Sequence, residues 1–176
     1  MAVDTAPRSL SGTTRSWLAI LNAEAMAHTG QTKAASRAVV EAQELLTQPR
    51  SDGADPWMYD FDQGSLAAHR ATCHLALEQA QRAIEAFTEA LRLLPPACDR
   101  RGARIQLGLA RAHLACGDSD EALRQASVAL STFAHRGSAA GLRGVRHVRN
   151  NFLEAGLPTQ AHALDEQARS LRHGAG

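Results

Sequence analysis

The chain has 176 residues, is 44% hydrophobic and 21% charged, and carries a formal net charge of +1. That length suits one domain with a sizeable core, and so small a net charge advertises neither a nucleic-acid nor a membrane surface. No apolar run approaches the ~18 residues needed to cross a bilayer, so no membrane partner is expected.

The N-terminal stretch MAVDTAPRSLSGTTR lacks the apolar segment of a signal peptide. Cys73, Cys98 and Cys116 make an odd count without framework spacing, which suits a reducing cytosol. A cytoplasmic protein is expected. Alanine and leucine carry the apolar content, and both favour helix. β-Branched residues never alternate over a useful window, so the expected fold is all-α.

In chain order, residues 1–12 read as a flexible polar N-terminus, 13–173 as a single domain and 174–176 as a frayed end. The first pair of helices spans roughly 14–29 and 31–47, with Gly30 between them. A polar insert, PRSDGADP, follows and runs into WMYDFDQG. Trp57, Tyr59 and Phe61 alternate there, so an extended segment turns all three the same way. Burial as a plug over the junction is favoured, because large aromatics usually serve burial; an aromatic clamp on a ligand, joined by Trp17, is the alternative.

The second pair covers roughly 62–77 and 79–94, and the third 99–116 and 118–134, broken at Gly117-Asp118. Before that break, Ile105, Leu109, Ala112 and His113 form one stripe at helical spacing. After it, Asp118 can cap the next helix, with Glu121 reaching back as in a capping box. The last pair spans roughly 137–155 and 158–172, and Pro158 fits a first helical turn.

Gly117, Ala122 and Ala129 return as Gly156, Ala161 and Ala168, each 39 residues on. Stepping back by 39, Ala122 and Ala129 fall on Ala83 and Ala90. Gly30, Ala35 and Ala42 keep the same internal spacing 48 residues before that, the excess matching the polar insert. Small residues at fixed intervals allow paired helices to approach closely and the next pair to nest beside them. A bulky side chain at Ala122 should overpack that crossing by ~1–3 kcal/mol.

AIEAFTEALRLLP places Ala83, Phe87, Ala90 and Pro95 in the A-x3-F, A and P positions of a tetratricopeptide repeat. LARAHLACGDSDEA puts Leu109 and Ala110 at the Leu-Gly position, His113 at the Tyr position and Ala122 at the second-helix alanine. The chain therefore resembles a tetratricopeptide array, although Gln106 stands where the first-helix Trp belongs and Arg149 takes a small-residue place in the last copy. The stretch from WMYDFDQG to ASVAL, with GLRGVRHVRNNFLEAG after it, is similar to the C-terminal region of actinobacterial helix-turn-helix regulators of the XRE type. The resemblance implies a right-handed solenoid of four helical hairpins, acting as the sensor or assembly half of a transcriptional regulator whose DNA-binding unit is not in this chain. Direct nucleic-acid binding is not expected.

In a tetratricopeptide stack the first helix of each hairpin lines a concave face. The resemblance carries that face onto Arg104, Leu107, Arg111 and Leu114 in the third repeat, and onto Arg143, Arg146, Asn150 and Leu153, with His147 adjacent, in the fourth. In the second it falls on Ser65, Ala68, Thr72 and Leu75, with His69 adjacent, and in the first on Trp17, Ile20, Glu24 and Ala27. Between Asp99 and Arg149 nine arginines face only Asp99, Asp118, Asp120 and Glu121 in sequence. Guanidinium groups pair bidentately with carboxylates and phosphates.

The expected function is thus a non-catalytic binding module whose arginine-rich face takes a peptide or protein segment, acidic or with a free C-terminus. The family's carboxylate-clamp pattern is absent, since Leu107 and Gly108 stand where polar clamp residues belong. A self-associating homodimer module and a small-molecule sensor near Trp17 and Trp57 are the alternatives; a plain solvated helix face accounts for the arginines with no ligand at all.

Cys73-His74 and His113-x-x-Cys116 suggest zinc. Yet His74 and His113 share one repeat position, where a ring wedged between helices with one bonded nitrogen suffices. Neither metal nor cofactor is expected. No G-x-S-x-G, phosphate loop, G-x-G-x-x-G or H-E-x-x-H occurs, and no enzymatic activity is expected.

Overall fold

A computed structural model describes residues 10–48, 61–95 and 99–173. Those residues form eight α-helices and no strand: α1 (Gly12–His28), α2 (Thr32–Thr47), α3 (Gln63–Ala76), α4 (Ala80–Leu93), α5 (Asp99–Ala115), α6 (Ser119–His135), α7 (Ala139–Glu154) and α8 (Pro158–His173). Helix α1 begins earlier than the apolar spacing indicates, because Ser11 caps it, its side chain accepting from the Thr14 amide at 3.1 Å. Pro158 opens α8, where its missing N–H costs no hydrogen bond.

The turns explain the 39-residue interval. Gly117 and Gly156 adopt left-handed backbone, with φ of 80° and 73°, and Gly30 does so at 73°. Glu78, 39 residues before Gly117, occupies the same conformation at φ 59° although it has a side chain. Each turn closes in the same way: Gly117 N–H donates to Leu114 and Asp118 N–H to His113, just as Glu78 donates to Leu75 and Gln79 to His74. This is the six-to-one, five-to-two closure that satisfies the last carbonyls of a helix. Because the Asp118 amide is used there, Glu121 does not reach back to it. Asp118 Oδ1 still accepts from the Glu121 amide at 3.2 Å, while the Glu121 carboxylate turns to Arg124 Nε at 2.7 Å and Gln125 Nε2 at 2.9 Å.

The recurring alanines are core positions. Ala35, Ala42, Ala83, Ala90, Ala122, Ala129 and Ala161 are all 0% exposed; of the series only Ala168 is partly covered. Helix pairs α1/α2, α3/α4 and α5/α6 make the largest packing interfaces, and α7/α8 a looser one. The core follows the chain in three clusters: the first on α1, α2 and one flank of α3, the second on α3, α4 and α5, the third on α5 to α8. Helix α5 belongs to two of them, through Ile105, Leu109 and Ala112 on one flank and Ala103, Leu107 and Ala110 on the other.

Two glycines set the distance between successive pairs. A Cβ on Gly108 of α5 would lie 2.3 Å from the Phe87 ring of α4, and one on Gly141 of α7 would lie 2.1 Å from the Phe133 ring of α6. Each ring therefore rests directly on backbone. Across the remaining contacts, α8 is tied to α6 by Gln167, whose Nε2 donates to the Ser127 carbonyl at 3.2 Å and the Ser131 hydroxyl at 3.0 Å. Phe61 is buried in the first cluster, in keeping with a plug at that end of the aromatic segment, while Trp57 and Tyr59 lie outside the described residues. No helix among the described residues is long and apolar enough to cross a membrane.

Candidate basic face and adjoining cleft

Two surfaces collect the residues with binding chemistry, and α5 borders both. On α5 the spacing of Arg104 and Arg111, close to two full turns, puts both on one solvent strip with Arg100. On α7, Arg143, Arg146, His147 and Asn150 are exposed together on the side opposite the buried Gly141, Val145, Val148 and Phe152. The helices meet at Leu107 and Gly144, where an added Cβ would come within 2.7 Å of Leu107 Cδ1. That contact packs α7 against α5, so the two basic strips stand on neighbouring helices.

The state of each arginine divides the nine between Asp99 and Arg149. Arg101 pairs with Asp62 at 2.7 Å, Arg149 with Asp165 at 2.8 Å, Arg124 with Glu121, and Arg136 with Asp99. Two of those acids, Asp62 and Asp165, lie outside the interval and were invisible to a local charge count. Arg100, Arg104, Arg111, Arg143 and Arg146 have no ion pair among the described residues. Four of these five are the positions that the resemblance assigns to the groove. Unpaired guanidinium groups on adjoining helices sum to a local positive field that attracts anionic groups.

Leu107 is different. It is 9% exposed and packs in the third cluster against α7, because the glycine opposite leaves room for it; it separates the arginine strips from the core and offers no ligand surface. Ile20 and Ala27 are likewise core residues, and Trp17 packs half-buried against the first cluster. Asn150 stays exposed and accepts from Arg149 Nη1 at 3.3 Å.

The second surface is a cleft of about 470 Å³. Ser65, Ala68, His69 and Thr72 of α3 form one wall, Glu24 of α1 closes one side, and Arg101, Arg104 and Ile105 of α5 close the other, with Phe87 of α4 beneath. His69, Thr72 and Arg104 are thereby brought together, whereas Arg111, Arg143, Arg146, His147 and Asn150 are not part of it. The pattern gave no signal for Phe87, Ile105 and Arg101, because they reach the cleft from helix flanks rather than from the inner-face positions.

Polar contacts order the cleft. His69 Nδ1 and Glu24 Oε1 are 2.7 Å apart. An ionised carboxylate only accepts, so the Nδ1–H donates and Nε2 is left as an acceptor in the neutral ring. The His69 ring also lies tilted against Phe61, centroids 6.1 Å apart. Arg101 Nη2 donates to Asp62 Oδ1 and to Ser65 Oγ, each at 2.7 Å, pinning α5 to the start of α3. Burial pushes the Asp62 carboxyl up, but Arg101 and the Ser65 amide outweigh it and hold the group below its ordinary value.

The remaining histidines and cysteines bear on metal chemistry. His74 Nδ1 meets Gln79 Oε1 at 2.9 Å, and His113 Nδ1 meets Asp118 Oδ2 at 3.4 Å, so each half-buried ring is anchored to the residue that begins the next helix. Burial first, and the Glu24 charge second, push the Cys73 thiol up to about 12, which leaves it protonated and a poor ligand or nucleophile at neutral pH. Cys116 is exposed. Comparison with family models, with characterised proteins and with solved structures gives no match to this chain.

Proposed function

We propose that the chain is a tetratricopeptide-like, right-handed solenoid of four helical hairpins. In this reading it is a non-catalytic module that captures a peptide or protein segment rich in carboxylates on the α5/α7 face. The observation that carries this reading is that Arg104, Arg111, Arg143 and Arg146, on two helices that pack together, have no ion pair among the described residues, while four other arginines of this region are bound to carboxylates of the same chain. A solvated face made only for solubility has no need to sort its cations in this way. The periodic left-handed turns and fully buried alanines support the repeat reading, and the resemblance to the C-terminal region of XRE-type regulators supports a role in transcriptional control.

Capture of partners from cytosolic extract tests this reading, comparing the wild-type chain with the double variant Arg111→Glu, Arg146→Glu. The expected result is a partner lost from the double variant at unchanged helix content, and loss of wild-type capture as salt rises past ~0.3 M, where surface charges are strongly screened. Equal capture by both proteins at all salt concentrations overturns the reading.

A further inference from the structure

We infer that the cleft between α1, α3 and α5 is a separate site for a small zwitterion with an apolar body, an α-amino acid or a dipeptide, its ammonium group on Glu24 and its carboxylate on Arg104. This goes beyond the proposed peptide-binding face and shares with it only Arg104.

The placement follows from which helices touch. Helix α3 packs against both α1 and α5, which do not pack against each other among the described residues, so Glu24 and Arg104 stand on opposite flanks of α3. Between them the floor is apolar: Phe87 and Ile105 are 4% and 6% exposed, with Ala68 beside them. That floor exists because Gly108 has no side chain to displace the Phe87 ring.

The polar atoms are poised for the two charged ends. Glu24 uses Oε1 for His69, and its Oε2 has no partner among the described residues, giving an ammonium an anionic acceptor at one end. Arg104 has no carboxylate partner among the described residues and offers its fork to a ligand carboxylate at the other. A plain anion would be repelled by Glu24 and a plain cation by Arg104, so the cleft selects for both charges on one molecule. Its volume, about 470 Å³, lies in the range of small-ligand sites and exceeds that of a single amino acid, leaving room for a dipeptide.

The test is calorimetric titration of the full chain with L-leucine and L-alanyl-L-leucine, each against its N-acetylated and C-amidated form. At least one zwitterion should bind, with each blocked form about tenfold weaker or worse, the size of one lost charge-assisted bond. Glu24→Gln should weaken the zwitterion by a similar factor at unchanged circular dichroism, whereas Arg111→Glu, Arg146→Glu should retain it, which separates this site from the peptide face. If Glu24→Gln does not fold, the blocked ligands on wild-type protein decide alone. No binding by either zwitterion, equal binding of blocked and free forms, or unchanged binding by a folded Glu24→Gln protein would overturn the inference.

Discussion

Arg101 and Arg111 sit on the same helix with opposite fates. Arg101 is drawn into the fold, bonded to Asp62 and Ser65 across to α3; Arg111 faces solvent with no carboxylate partner among the described residues. The lesson is that a basic segment is not a basic surface. Identical side chains either hold two helices in register or stand ready for a ligand, and the difference is whether a distant acid folds back onto them.

Breaking the contact that seats α7 on α6 should have the largest effect. Gly141→Val drives a branched side chain into the Phe133 ring that already touches backbone, and thermal unfolding should register a loss of about 3 kcal/mol, the upper end for overpacking. Next comes the comparison itself. Arg101→Gln leaves Asp62 half-buried without its cation and should cost about 1 kcal/mol in denaturant unfolding. Arg111→Gln removes only repulsion among neighbours and should leave stability unchanged within about 0.5 kcal/mol, as for surface sites generally. Equal losses for the two would erase the distinction.

Smaller effects sharpen the repeat. Glu78→Gly should stabilise by about 0.5–1 kcal/mol, because the left-handed turn no longer carries a Cβ. The same change made at Gly117 in reverse, Gly117→Glu, should destabilise. The Glu121 carboxyl, held down to about 2 by Arg124 first and Gln125 second, supplies stability that is fully present above its ordinary 4.5. That contribution is lost as pH falls from there toward 2, and an acid titration of helix content should show the difference vanish in Glu121→Gln.

How much of this was legible beforehand depended on distance along the chain. The helices, the alanine interval and the Asp118 cap are local patterns, and their boundaries moved by only a few residues. Glu78 is hidden in the repeat because the turn, not the glycine, is the invariant there. Arg104, Arg111, Arg143 and Arg146 could be placed by register alone. Leu107 could not, since its burial depends on Gly144 of another helix, and the Arg101–Asp62 pair could not, since nothing in either neighbourhood points to the other. The ring-on-glycine contacts of Phe87 and Phe133 were equally hidden: a helical glycine looks like a weakness until its partner is known.

Site-specific photo-crosslinking in cytosolic extract tests the central claim most directly, with the reactive side chain placed in turn at Asn150, on the basic strip of α7, and at Val40, exposed on α2. The account predicts a crosslinked partner from Asn150 that disappears in the Arg111→Glu, Arg146→Glu background, and none from Val40. Crosslinks from Val40 alone, or from Asn150 only to a second copy of the same chain, would contradict it.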